Sequence, residues 1–511
     1  MRGRVGGGVA AGGVCRVGEG VGQMWACRSR CLVVRSGGIC PVCEQEVVPK
    51  ALFEQVSSEN VRLTEQLAEA EARIEELQAR LGMSSKNSSK PPSSDGLAKP
   101  APKSLRQKSG RGQGRPKGQA GFTLEPVADP THRRRHEPQA CAGCGGGLAG
   151  APVVEVEARQ VFDLPESIAL EVTQHDLVSR RCSCGRVTKA AAPAGVNAPV
   201  QYGPRLAGVG IYLFHGQFLS KGRTAAALSD LFGADVAPGT VAAWTTKTAQ
   251  VITDEVIPVI TDRVAGAEVA HFDETGLRTG GKLAWMHSAS TETDVLLTVH
   301  AKRGTKGMDA ADVLPRFKGV AVHDAWAPYD TYADVTHALC NAHGLREFIY
   351  VQDTAPKNVA DLAEQATDAI LAIKKLVDAA AETGVDVDPD ALAHQTRLLK
   401  SALVLGKTAT SGRATKLERK YNALFTRMIK RWDDYLRYTH DPQVPFDNNA
   451  AERTIRMPKL RVKVSGSFRS MDGAQDFAAI RSYLATAARA GQNILDALVQ
   501  ATTGTPWIPA T

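Results

Sequence analysis

Between Leu52 and Leu81 apolar side chains recur every three or four positions. Val56, Leu63, Ala70 and Leu77 fall on one seam position, and Phe53, Asn60, Leu67, Ile74 and Leu81 on the other. This heptad pattern predicts a coiled coil, with charged residues on its flanks and Gly82 as its stop. The single Asn60 at a core position is the kind of residue that fixes register in two-stranded coils. A second copy of the chain is therefore the expected partner, in preference to the helix packing on its own chain. Helical spacing returns over 204–250, where GRTAAALSDLFGADVAPGTVAAWTTKTAQVI reads as a helix, a glycine-bearing turn and a second helix from about Pro238. That pattern is helix-turn-helix-like, although a structural helical hairpin fits it nearly as well.

From Glu268 the period shortens. EVAHFDET, KLAWMHSAS and DVLLTVHA read as strands, GMDAADVLP as a helix and GVAVHDAW as a fourth strand. Three consecutive strands, a helix and a fourth strand is the order of a ribonuclease H-like sheet. Beyond it, DLAEQATDAILAIKKLVDAAAE and KLERKYNALFTRMIKRWDDYLRY are helical with basic faces. The expected class is thus α+β and multidomain: a ribonuclease H-like α/β catalytic core with a helical insertion, preceded by a coiled coil, basic linker, zinc ribbon and helical segment. The expected boundaries are a disordered head over 1–44, the coiled coil over 45–83, a flexible basic linker over 84–130 and a zinc-ribbon DNA-binding module over 131–192. They continue with the helix-turn-helix-like region over 193–262, the first part of the core over 263–354, the insertion over 355–440 and the completion of the core with C-terminal helices over 441–511.

Composition changes the picture mainly through charge. The chain carries a formal +8, and the segment from Ser84 to Ala120 alone has the same excess, with Lys103, Arg111, Arg115 and Lys117 among its cations and Asp95 its one acid. The rest of the chain is neutral. Ser, Pro, Gly and Lys dominate this tract, so it reads as an extended tether whose concentrated charge attracts a polyanion. Nucleic acid is the leading partner, held by phosphate contacts that give affinity without sequence choice.

Ten cysteines in 511 residues do not make a disulfide scaffold. Cys141 with Cys144, in CAGC, and Cys182 with Cys184, in CSC, sit on glycine turns about 40 residues apart, as in a zinc ribbon. The second arm departs from the commoner CxxC, and His175 is an alternative ligand. Cys15, Cys27, Cys31, Cys40 and Cys43 lie in the glycine-rich head, where a small zinc site is the lesser reading and a disordered head, or translation read from too early a start codon, the greater. No apolar run reaches the ~18 residues of a spanning helix, and the head is too weakly apolar for a signal sequence. A cytoplasmic, nucleoid-associated protein without membrane contact is expected.

The chemistry lies in acids. Asp273 is expected at the end of the first core strand and Asp324 at the end of the fourth, two strands that neighbour each other in such a sheet. Phosphodiester chemistry with two Mg²⁺ or Mn²⁺ ions needs converging carboxylates, the third from a later helix. FDNNAAERTIRMPKLRVKVSGSFRS supplies Glu452 in the first turns of a helix capped by Asp447 or Asn448 and expected to end soon after Pro458. Arg453, Arg456, Lys459, Arg461 and Lys463 follow and are expected to meet DNA phosphates beside the metals. The plain alternative for Glu452 is an exposed ion pair with Arg456 at i,i+4. Cys340 and His343 share a helical face, but a supporting role suits them better than a metal site.

Several of these motifs, in this order, are similar to the transposases of the insertion sequence 66 family. They are SSKNSSKPPSSDG, GRPKGQAG, CAGCGG with CSCG, HFDETG, HDAWAPY, CNAHGLREF, DNNAAERTIR and GSFRSMDGAQDFAAIRSYLATAARAGQNILDAL. The resemblance runs from the coiled coil to about Leu498 and leaves out the head. It implies Asp273, Asp324 and Glu452 as a DDE triad and Cys141, Cys144, Cys182 and Cys184 as zinc ligands. The implied activity is strand cleavage at element ends and transfer to target DNA, by a homodimer or higher oligomer, with two small accessory proteins of the same element as further partners. A catalytically inactive DNA-binding relative is the rival reading, and the presence of all three acids weighs against it.

The tether makes a direct prediction. Deleting residues 84–120 should flatten the salt dependence of DNA binding, since each phosphate contact contributes about −0.9 to the log–log slope. An unchanged slope in a salt titration would make the tether a spacer.

Overall fold

The computed structural model describes residues 24–27, 32–34, 47–84, 87–88, 124–165 and 168–510. Most of the expected head and nearly all of the basic tether, including Lys103, Arg111, Arg115 and Lys117, lie outside these residues. In chain order the strands are β1 (Met24–Cys27), β2 (Leu32–Val34), β3 (Val47–Pro49), β4 (Ser179–Arg181), β5 (Val187–Lys189), β6 (Val269–Thr279), β7 (Lys282–Ser290), β8 (Val295–His300), β9 (Val320–His323) and β10 (Thr336–Leu339). The helices are α1 (Lys50–Leu81), α2 (Pro204–Ile211), α3 (Lys221–Phe232), α4 (Pro238–Glu255), α5 (Ile257–Ala265), α6 (Thr305–Asp309), α7 (Asn341–Thr354), α8 (Lys357–Thr383), α9 (Pro389–Ala409), α10 (Lys416–Lys430), α11 (Trp432–Leu436), α12 (Asn449–Ser465), α13 (Met471–Arg489) and α14 (Ile494–Thr503). The protein is a mixed α/β chain that divides into two compact units, one of residues 1–99 with 343–432 and the other of 100–342 with 433–511.

The first unit is mainly helical. The long helix α1 leaves Leu63, Leu67, Ile74 and Leu77 of its apolar seams exposed. Near its end Glu76 pairs with Lys416 of α10 at 2.7 Å. Helices α8, α9 and α10 pack along one another, and Gly406 lets α9 approach α10 closely, since a Cβ there would stand 2.4 Å from the Phe425 ring. The capping pair at the start of α10 is local: the Thr415 hydroxyl accepts from the Glu418 amide, and the Glu418 carboxylate accepts from the Ala414 amide. In the N-terminal part, β1 pairs antiparallel with both β2 and β3.

The second unit is built on a five-stranded sheet in the order β10-β9-β6-β7-β8. β6, β7 and β8 form an antiparallel meander, while β9 and β10 add in parallel on the other side of β6. The expected core helix is only the short α6. Gly319 sets the entry of β9 beside β6: a Cβ there would lie 2.4 Å from the Glu268 carbonyl oxygen, and the Val320 amide donates to that carbonyl at 2.7 Å. On the opposite edge β8 would leave amides unpaired under α13. Ser482 and Thr486 of α13 meet this need, accepting from the Leu297 and Val295 amides through their hydroxyls. The main core lies between the sheet and α4, α5, α13 and α14, around Phe272, Phe317, Ile480 and Tyr483.

Residues 131–190 hold, among the described residues, the β4–β5 hairpin and an isolated bridge between Ala140 and Gly147. Gly233, at φ 64°, ends α3, and Pro238 opens α4, at the positions the sequence indicated. Among the described residues no helix is long and apolar enough to cross a membrane.

Candidate active site

Asp273 and Asp324 come together through the parallel β6–β9 pair. The pairing ends at His271 opposite Val322, so β6 continues past its neighbour and Asp273 stands just beyond the last paired residue. It is therefore inside a strand that runs on to Thr279, a correction to its expected place at a strand end. Asp324 follows the last residue of β9, and its carboxylate accepts from the Trp326 amide at 3.1 Å.

Glu452 is brought to them by α12, and this helix is fastened to β6 at both ends. At its start, the side-chain amide of Asn448 donates to the Phe272 carbonyl at 2.7 Å. Its oxygen then faces Nδ1 of His271 at 2.9 Å, so that imidazole nitrogen carries the proton and donates it. The Asn448 backbone amide donates to the Cys340 sulfur at 3.2 Å, which gives Cys340 a supporting role. Asn448 is thus the helix cap residue by position, but its side chain holds β6 and makes no cap hydrogen bond. At the far end, Phe468 exchanges backbone hydrogen bonds with Arg278 and Gly280.

α12 does not end near Pro458 as the sequence suggested; it runs to Ser465 and stops at Gly466, φ 76°. Packing of Ala451, Ile455 and Pro458 on the buried face carries the helix through the one hydrogen bond that proline removes. At 100° per residue, the half-buried Glu452 and the exposed Arg456, Lys459 and Lys463 share one strip, with Arg453 beside it. Arg456 also reaches Glu452 at 3.4 Å, so the simple i,i+4 pair exists here. Arg461 falls on the opposite side of the helix and is half-buried over the Phe468 ring at 3.9 Å, which separates it from the cations expected beside the acids.

Burial, chiefly in an apolar pocket shared with Phe272, Met308, Leu314 and Tyr329, pushes the Asp273 carboxyl up to about 8. The charges of Glu274, Asp324 and Glu452 add to this, against a hydrogen bond from the Glu274 amide. Among the described residues no three His, Cys, Asp or Glu side chains are grouped so that they could hold a metal ion. The donor set nevertheless suits a hard divalent cation: carboxylate oxygens only, repelling one another at a partly dry point.

Sequence reasoning missed a fourth acid. Glu274 is buried, with its side chain 1% exposed, and accepts from Nε and Nη2 of Arg303 at 2.9 and 2.6 Å and from the Tyr329 hydroxyl at 2.8 Å. Burial and then Asp324 raise its carboxyl, while these donors lower it. Arg303 lies over Trp326 at 3.9 Å and Trp285 at 4.9 Å. These donors commit Glu274 to Arg303 and leave Asp273 as the member of the pair able to meet a ligand. The signal was the acid next to Asp273 in HFDETG.

The zinc candidates form two separate turns. The Cys141 amide donates to the Gly146 carbonyl and the Cys182 amide to the Arg186 carbonyl. Hydrogen bonds from Cys144 and Gly143 draw the Cys141 thiol below its ordinary range, and bonds from Cys184, then Ser183, do the same for Cys182. Each pair suits one half of a thiolate site. The four cysteines are not gathered around one point.

The Asp273 environment has a thermodynamic consequence. With a folded value near 8 against an ordinary 3.8, the carboxyl keeps a proton in the fold that the unfolded chain has released. Its contribution to stability is complete below about pH 4 and is lost as pH rises through 8. Without divalent cations, Asp273→Asn should therefore melt several degrees above the parent at pH 8 and level with it near pH 4. A variant less stable than the parent at pH 8 would contradict this electrostatic picture.

Residues 199–476, more than half of the chain and including Asp273, Asp324 and Glu452, match the family model described as Transposase IS66 family. Residues 45–125 match a family of unknown function, DUF6444. No curated protein matches the chain. The protein belongs to the IS66 family of transposases.

Proposed function

We propose that this transposase binds the ends of its insertion element and catalyses metal-dependent strand cleavage and strand transfer, with Asp273, Asp324 and Glu452 as its DDE carboxylates. The observation that carries the reading is the fastening of α12 to β6 by Asn448, which holds Glu452 close enough for its charge to act on Asp273. Strand order β10-β9-β6-β7-β8, with a meander followed by parallel additions, supports a ribonuclease H-like core. Mg²⁺ or Mn²⁺ held by the three acids would activate the attacking oxygen and neutralise charge on the leaving one. The chain itself supplies position: the β6–β9 pair fixes two acids, α12 presents the third, and Arg456, Lys459 and Lys463 on the same strip neutralise neighbouring phosphates. Arg303, pinned by Glu274, keeps that fourth acid from competing for the cation. The tether adds affinity without sequence choice, and the exposed seams of α1 support pairing of two copies through a coiled coil.

Asp273→Asn should abolish joining of element-end DNA to a plasmid, by several orders of magnitude, while leaving DNA binding intact. Asp324→Asn and Glu452→Gln should do the same, and the triple variant should be little worse than any single one because the acids act as a unit. Near-normal joining by Asp273→Asn would place the chemistry elsewhere.

A zinc ribbon of Cys141, Cys144, Cys182 and Cys184 is the reading that the two turns support. Purified protein should carry one zinc in this module, lost on Cys141→Ser or Cys182→Ser along with order in residues 131–192. Equal zinc content in both variants and the parent would reduce these cysteines to ordinary thiols.

A further inference from the structure

Away from the acids, α2 passes into a π-helical turn, Tyr212–Gly216, that contains His215. This imidazole is 2% exposed, and neither of its ring nitrogens has a hydrogen-bond partner. Three residues on, Phe218 adopts φ 59°, a left-handed conformation that is costly for an aromatic residue. Around them lies a floor of rings: Phe477 packs against His215, Phe218 and Phe468 with centroids 5.7, 6.2 and 5.3 Å away. Two guanidinium groups lie on this floor. Arg461 of α12 sits 3.9 Å over Phe468 and 6.0 Å from Phe477, and Arg481 of α13 sits 5.3 Å over Phe218.

Both arginines are half-buried, and among the described residues neither pairs with an acid. Arg461 donates to the Gly466 carbonyl at 2.7 Å, Arg481 reaches the His215 carbonyl at 3.5 Å, and the buried Nε of Arg481 has no acceptor. Lys221, at the start of α3, adds a third positive charge near the imidazole, beside Asp476. Burial draws Arg461 down to about 10 and lowers Arg481 as well. Burial, then Arg461, Arg481 and Lys221, holds His215 near 3, so it stays neutral and keeps one N–H to donate. Cations withdrawn from water without a counter-charge cost stability unless an anion completes the set.

We propose that Arg461, Arg481 and His215 form a receptor for a phosphodiester group of bound DNA, on the side of α12 turned away from Glu452. The guanidinium faces are taken by aromatic rings, which leaves their N–H edges for phosphate oxygens, the geometry arginine suits best. The N-terminus of α3 adds its positive end to the same cluster. This site rests on the reading of DNA as substrate and extends it: the contact lies apart from the strip of Arg456, Lys459 and Lys463 and grips a different stretch of backbone.

Thermal melting of the full chain in inorganic phosphate, against chloride at equal ionic strength, tests the site. Phosphate should raise the melting temperature of the parent and of Asp273→Asn, as any ligand of the folded state does. Arg461→Gln and Arg481→Gln should lose this rise, while melting in chloride at or above the parent temperature because each removes an uncompensated charge. Absence of a phosphate effect in the parent, its persistence in both variants, or a clear loss of stability by both in chloride would overturn the proposal; the last would make the arginines structural. A second arm measures the salt dependence of binding to element-end DNA, whose log–log slope should be shallower by about 0.9 in each variant. A phosphate effect with an unchanged slope would assign the site to free phosphate and overturn the DNA assignment. Neither arm needs strand transfer, so a failure of the catalytic reading shows only in the joining assay.

Discussion

The candidate site depends on one residue's hydrogen bonds more than on any other contact. Asn448 is almost fully buried, and its amide side chain spends both ends on β6, one on the Phe272 carbonyl and the other on the His271 ring. A buried amide satisfied at each end has little freedom to shift, and leaving either end unpaired costs on the order of 1–3 kcal/mol. The first turn of α12 is therefore fixed against the strand that carries Asp273. The backbone bonds between Phe468 and the end of β6 fix the other end of the same helix. Glu452 is then set by the rigid geometry between two anchors.

Within that frame the chain accepts electrostatic cost. Asp273 is largely withdrawn from water, with the charges of Glu274, Asp324 and Glu452 adding to the cost of ionising it, and its carboxyl is pushed up to about 8 as a result. Such an arrangement destabilises the fold and is characteristic of sites that await a cation or a reacting group. Glu274 shows the alternative outcome a few atoms away. Arg303 and Tyr329 satisfy it, and two tryptophans hold Arg303 in place. Neighbouring acids on one strand thus take opposite roles because their donors differ.

Much of this was legible in the sequence. Alternating apolar runs marked β6 to β9, Asp324 flagged the end of β9, and DNNAAERTIR pointed to α12 and Glu452. What escaped was whatever depends on contacts distant in sequence. Pro458 looked like a stop because local propensity opposes it, yet burial of Ala451 and Ile455 with it carries the helix on. Arg461 looked like one more cation in a basic run, while the helical angle turns it onto Phe468. Asn448 read as a cap, and only the sheet reveals the carbonyl it holds. Cysteine spacing marked the two turns around Cys141 and Cys182, but the pattern could not say how much β-structure lies between them.

Diffraction from crystals of the full chain soaked in Mn²⁺, collected at a wavelength where manganese scatters anomalously, tests the central claim most directly. The account predicts an anomalous peak whose ligands include carboxylate oxygens of Asp273, Asp324 and Glu452 within about 2.5 Å, with Glu452 released from Arg456. Manganese bound elsewhere, with Glu452 still paired to Arg456 and the two aspartates without a shared ion, would contradict it.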